Sequence, residues 1–335
     1  MVEGGLPVGM SLAPFDSSGR SITNLSSAAI SAISSIADSE INQDYNSQCC
    51  LDSMYFSGTG LAKLAITIYV LNDLVGNRNL AQTGLAKLKT YMAVFVNNKQ
   101  KNPLVYEQAW RGIVSVAGYS DAGADFGGTY YTRQQQGLGE YARSRFCQPH
   151  QRLTIPFLPL LRLVQGRSRA KGLFESADGR DQESTSEDAF ASFGLKMWGL
   201  ESGDKNMEAR GNSILAIQAR TFQSYFLMDS KNSNQPPDFI NNKVTGILFE
   251  NKVDHATYFS NNIECIQGIH MIPLAPPSAL VRSRNFVSEE WSTYCSNGRV
   301  DSVGGGWRGI LYCNLAITDT KPAFAFFSRR DFDQS

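Results

Sequence analysis

Apolar residues recur at helical spacing through most of the chain. Leu25, Ala29, Ile30, Ile33, Ile36 and Ala37 fall on one side of a 3.6-residue repeat, after a cap candidate at Asn24. Residues 61–74 form a strongly apolar segment closed by Val75-Gly-Asn77, and residues 80–95 set Leu85, Leu88, Met92 and Phe95 on one side. Further helices are predicted over about 184–200, 206–228, 285–294 and 309–317, with one more turn after Ala275-Pro-Pro277. Residues 109–116 fit a short strand or a helical turn, and residues 244–251 fit a short strand. Residues 254–258 and 262–271 read as loop with apolar points. Seven or more helices with short connections and little strand predict an all-α array of antiparallel hairpins.

One stretch concentrates acidic chemistry at a helix start. Asp178-Gly-Arg-Asp-Gln-Glu-Ser-Thr-Ser-Glu187 holds Asp178, Asp181, Glu183 and Glu187, with Asp188 just beyond. Ser184 stands three residues before Glu187, the spacing of a capping box, and the apolar run Ala189, Phe190, Phe193, Leu195 follows. If Glu183 is already helical, Glu183 and Glu187 are neighbours on one face. Carboxylates at a helix N-terminus are held ionised, which suits a base better than an acid. The same residues also suit mere complementation of the helix dipole.

Composition narrows the class without choosing a chemistry. The 335 residues carry 31 basic and 31 acidic side chains, so a net charge of zero argues against nucleic acid or an acidic membrane as the main partner. Six cysteines form no Cys-x-x-Cys pair, and His150, His255 and His270 lack zinc spacing, so neither a metal nor a cofactor is expected. No apolar run reaches membrane-spanning length. The first residues lack a basic start and an apolar core, so they do not read as an export signal. Residues 132–170 stand apart, with seven arginines, one acid and no lysine.

Several motifs then occur together in one order: Gly4-Gly-Leu-Pro-Val-Gly9, Phe126-Gly-Gly-Thr-Tyr-Tyr131, Asp181-Gln-Glu-Ser-Thr-Ser-Glu187, Lys196-Met-Trp-Gly-Leu200, Gly246-Ile-Leu-Phe-Glu-Asn251, Gln267-Gly-Ile-His-Met-Ile-Pro273 and Gly305-Gly-Trp-Arg-Gly309. On these the chain resembles the C-terminal catalytic part of fungal endo-1,3-β-glucanases of glycoside hydrolase family 81, over nearly all of its length except 132–170. The resemblance implies an (α/α)6 toroid of helical hairpins, incomplete around 132–170, as a single domain over 1–331. It implies inverting hydrolysis of internal β-1,3 bonds, β-1,3-glucan as partner, and a secreted or wall-associated setting. The family's N-terminal β-sandwich has no counterpart in this stretch of sequence.

The resemblance also assigns residues. Glu183 matches the general base and Glu187 the second glutamate that orders water or substrate. Asp254, Tyr258, Gln267, His270 and Tyr131 are candidates for substrate contact, each set against plain satisfaction of buried polar groups. Trp307, after three glycines, is a candidate stacking face, and Trp198 reads as core. An inverting enzyme needs an acid across the bond from its base, with the carboxyls about 6.5–9.5 Å apart. The family's acid lies in an Asp-His-His-Phe-His run shortly after Thr-Tyr-Tyr, whereas here Tyr131 is followed by Thr-Arg-Gln-Gln-Gln136. Family-like codons for Arg-Asp-Phe-Ala-Asn-Pro, read from their third base, give Arg-Phe-Cys-Gln-Pro, the sequence of residues 145–149. Codons for Phe-Asp-Trp-Phe read the same way give Arg162-Leu-Val164. This pattern points to a shifted frame or mis-spliced exon over about 143–165, with a deletion after Tyr131. The alternative to an active glucanase is a glucan-binding remnant without the general acid.

Overall fold

The computed structural model describes residues 27–46, 57–97, 99, 104–107, 112–115, 166–167, 178 and 181–329. Tyr131 and nearly all of the atypical stretch 132–170 lie outside these residues. The chain divides into two compact units, residues 9–156 and residues 157–335 with 1–8.

The first unit is built on α1 (Ser27–Asn42), α2 (Ser57–Tyr69) and α3 (Arg78–Val96). A π-helical segment, Val70–Val75, continues α2 where the pattern predicts regular helix, and it places Leu71 in the core. Gly76 ends it at φ 76°, a left-handed conformation that favours glycine, and Asn77 caps α3 by accepting the Leu80 N–H. The buried side of α3 is Ala81, Gly84 and Tyr91, with Leu88 and Phe95 packed against the same core. Leu85 and Met92, expected on that side, are exposed. The 3–4–3–4 spacing of 81, 84, 88, 91 and 95 is the true stripe. Two small residues, Ala81 and Gly84, and a tyrosine occupy it, so apolar periodicity does not reveal it. Ile41, Leu64 and Leu71 complete the core. A short antiparallel hairpin, β1 (Leu104–Glu107) with β2 (Gly112–Ser115), sets Leu104 opposite Ser115. β2 falls within the segment 109–116.

The second unit is mostly helical. Its backbone is α4 (Thr185–Ser202) and α5 (Lys205–Tyr225), joined by Gly203 and Asp204. Gly203 at φ 72° closes α4, and Asp204 caps α5 by accepting the N–H groups of Asn206 and Met207. Two such devices in adjacent residues turn the chain straight back, which makes an antiparallel hairpin. Glycines let the two helices touch backbone to backbone. A β-carbon on Gly199 would stand 2.3 Å from the Glu208 nitrogen, and one on Gly211 would stand 2.5 Å from the Lys196 nitrogen. The Gln218 amide, fully buried, donates to the Asp188 carbonyl across the pair (3.3 Å).

Short helices α6 (Pro237–Ile240), α7 (Ile263–Gly268) and α8 (Ser278–Val281) follow, then α9 (Arg284–Tyr294), a 3-10 turn (Arg299–Ser302), α10 (Gly305–Leu315) and α11 (Thr320–Phe327). The pattern reads the α7 segment as loop, because six residues give too little length for a period to show. Between α5 and α7 the backbone is irregular but paired. Leu227 bridges Val244, Gly246 bridges Ala256, and Gln182 bridges Leu248. The short strand expected over 244–251 exists as these isolated bridges.

Candidate active site

Ser184 adopts extended backbone (φ −151°, ψ 157°), and its hydroxyl accepts the Glu187 N–H at 3.2 Å, so α4 starts where the capping pattern places it. Glu183 therefore precedes the cap and is not helical. The one-face relationship proposed for Glu183 and Glu187 does not arise from helix periodicity. A different device fixes Glu183. The Gln182 N–H donates to the Leu248 carbonyl (3.2 Å), and the Leu248 N–H donates back (2.9 Å). Asn251 N–H donates to the Asp178 carbonyl at 3.0 Å, extending the same pairing. Glu183 is 5% exposed, while Glu187 in the first helical turn is half-buried.

The other strand of that scaffold brings its own side chains. Gly246, at φ 73°, lies so close to Ala256 that a β-carbon would stand 2.0 Å from the Ala256 carbonyl oxygen. The close approach carries Tyr258 to the acidic stretch, where its hydroxyl donates to Asp181 Oδ2. Burial, then the hydrogen bond and charge of Asp181 and the charge of Glu183, raise the Tyr258 phenol above its ordinary range. It therefore serves as a neutral donor. Its ring meets Phe249 edge-on at 6.5 Å. Lys252 ties the rim, with Nζ 3.1 Å from Asp178 and 3.5 Å from Asp254, over the Phe249 ring. Asp178, Asp181, Glu183, Asp254 and Tyr258 are thus gathered by backbone pairing between segments some 70 residues apart.

Two predicted contacts lie deeper. His270 is fully buried, and its Nδ1 faces Thr185, the first residue of α4. Gln267 is 1% exposed, and its amide donates to the Asn242 carbonyl (2.8 Å). His270 thus ties to the head of α4, whereas Gln267 ties α7 to the Asn242 backbone. Ser186, which sequence reasoning passed over, donates to the carbonyls of Ile269 (3.0 Å) and Ile272 (2.7 Å). The signal available for it was a second hydroxyl inside the first helical turn. Trp307 stacks on exposed Phe259 (5.9 Å, 13°) and covers Gly268, where a β-carbon would meet its ring at 2.5 Å. Trp198 is half-buried on α4.

The profile of the glycosyl hydrolase family 81 C-terminal domain matches residues 24–139 and 146–335. The chain belongs to glycosyl hydrolase family 81. This family 81 domain is 46% identical to a glucan endo-1,3-beta-D-glucosidase of Arthroderma benhamiae, over 100% of the chain and 40% of that relative. It is 37% identical to the primary septum glucan endo-1,3-beta-D-glucosidase of Schizosaccharomyces pombe, over 98% of the chain and 35% of the relative. The chain thus spans well under half the length of these curated relatives. The Arthroderma comparison runs over 365 positions against a chain of 335 residues, so at least 30 positions of that relative have no counterpart here. A family 81 glycoside hydrolase from Clostridium thermocellum shares the fold, with a TM-score of 0.65 at 16% identity over 92% of this chain and 45% of that one.

Proposed function

We propose that this family 81 domain hydrolyses internal β-1,3-glucosidic bonds of glucan with inversion, on a helical (α/α)6 scaffold. Glu183 is the base that takes a proton from the attacking water, and Glu187 is the second carboxylate ordering water or substrate on the same side. The observation that carries this reading is the placement of Glu183. It is nearly buried just ahead of a capped helix, on a backbone paired to Leu248, beside the Asp181–Tyr258 hydrogen bond. Such a carboxylate is positioned by the fold rather than by its own side-chain freedom, as a water-activating base needs to be. Asp254 and Tyr258, at the rim, are the contacts offered to glucan hydroxyls, and Tyr131 is a further one by resemblance. The names of the fungal relatives support β-1,3-glucan as substrate, and that of the Schizosaccharomyces relative supports a place at the cell wall.

A second reading, glucan binding without cleavage, is favoured by one observation. The sequence after Tyr131 has no aspartate before Asp178, where the proton donor is expected. Acid assistance is worth about 10²–10⁴-fold. Reducing-sugar release from a soluble β-1,3-glucan, compared with the Glu183→Gln variant, separates the two. Release that is abolished by the substitution supports hydrolysis with Glu183 as base. Glucan retention by the folded protein with no release supports the second reading, and release unchanged by the substitution removes Glu183 from the mechanism.

A further inference from the structure

A cavity of about 220 Å³ opens between α7, α9, α10 and the 3-10 turn. It shares no lining residue with the Asp178–Glu187 stretch or with residues 246–259. Two buried acceptors belong to its wall. Glu290 Oε2 is taken by the Arg282 guanidinium and by the Asn314 amide (3.0 Å), but among the described residues no donor reaches Glu290 Oε1. The Gln267 amide nitrogen is committed to the Asn242 carbonyl, which fixes its orientation and leaves Oε1 with no donor among the described residues either. Both residues are 1% exposed. Buried acceptors are as a rule satisfied, so two on one cavity mark a place for a molecule rich in donors. Trp291 and Tyr294 give the same wall aromatic surface.

We propose that this cavity binds one small neutral polyhydroxyl molecule, a single pyranose ring or a polyol of that size, whose hydroxyls donate to Gln267 Oε1 and Glu290 Oε1. Neutrality follows from charge. The Glu290 carboxylate is already balanced by Arg282, both fully buried, so neither charge is left over to hold an ion, and an added ion would be desolvated with no opposite charge to meet it. A pyranose offers hydroxyl donors at its edge and apolar C–H faces for the aromatic wall. Gln267, a substrate-contact candidate on sequence grounds, lines this cavity, which shares no residue with the Asp178–Glu187 stretch and needs no cleavage chemistry.

Ile263 and Ser302 line the cavity and are both exposed, so they stand at its rim. The test is saturation-transfer NMR of the full chain with D-glucose, and with tetramethylammonium as a cationic control. The wild type shows transfer from D-glucose. Ile263→Trp and Ser302→Phe, made separately at exposed positions so that the fold survives, each weaken binding at least about tenfold. Thermal melts confirm that both variants are folded, and reducing-sugar release is read in parallel, so that loss of hydrolysis is not mistaken for loss of this site. Absence of transfer from glucose, transfer undiminished in either variant, or preference for tetramethylammonium overturns the proposal.

Discussion

The Nδ1 atom of His270 accepts two hydrogen bonds from Thr185, one from the backbone N–H at 3.3 Å and one from the hydroxyl at 3.0 Å. A backbone N–H can only donate, so Nδ1 carries no proton and the hydroxyl also donates. The N–H groups of a helix's first turn have no partner within the helix. His270 takes one of them, and so anchors the head of α4, next to Glu183, to a segment 85 residues away in sequence.

The burial of this histidine makes stability depend on acid. Burial first, then the Arg282 charge, push His270 from its ordinary 6.5 down to about 3, against an opposing pull from the Gly246 carbonyl. Between those values the unfolded chain binds a proton that the folded chain refuses. The contribution is therefore whole above 6.5 and shrinks as pH falls through that window. Urea unfolding at about pH 7 and about pH 5 is expected to show a loss of about 2 kcal/mol from this group. His270→Gln, although less stable at both, loses less between them. An equal loss in the variant would place the acid sensitivity elsewhere.

Tyr258→Phe removes the donor to buried Asp181 without changing ring packing on Phe249. Hydrogen bonds to charged groups are worth about 1.5–3 kcal/mol, and a stability loss of that order is expected. If Asp181 and Tyr258 also steady Glu183, turnover falls more than glucan affinity does. A change confined to affinity would make Tyr258 a substrate contact alone.

Gly246→Ala combines a left-handed backbone with a β-carbon 2.0 Å from the Ala256 carbonyl oxygen. Left-handed backbone alone costs about 1–2 kcal/mol, and the clash adds to it. Melting is expected to drop sharply, with activity lost ahead of the fold, because the Gly246–Ala256 contact carries Tyr258 to the acidic stretch. Wild-type melting and activity in this variant would contradict the placement of 244–258.

Arg282→Met leaves Glu290 as a buried carboxylate without its cation, at an expected cost of about 3–5 kcal/mol. Replacing Arg282, Glu290 and Asn314 together by apolar residues of similar size recovers much of that loss. Equal destabilisation of the single and triple variants, measured by urea unfolding, would mean that packing rather than charge holds this cluster.

Sequencing of the transcript is expected to show coding sequence between the codons of Tyr131 and Gly166 that restores an acidic residue in the family's frame. A transcript that confirms Thr132 to Gln165 as written, with nothing lost, removes the frame explanation and leaves the second functional reading stronger.

By itself the sequence determined what local rules can carry. Ser184 as cap, Gly203 as stop and the hairpin of α4 with α5 follow from residue types at short range, as do the helical class and the family motifs around Glu183. Periodicity placed α1, α2 and α3, though it chose Leu85 and Met92 over the smaller residues of the real stripe. What it could not supply is distance between segments. Whether Glu183 belongs to a helix depends on the backbone angles at Ser184 and on its pairing with Leu248. Whether His270 meets a ligand or a helix end depends on burial, and only the packed fold sets burial. Side-chain chemistry is local, but the field and partners that give it a role come from chain segments with no sequence relation to it. For that reason the acidic stretch could be found from residues alone, while its anchoring by Thr185, Ser186, Leu248 and Tyr258 came only with tertiary structure.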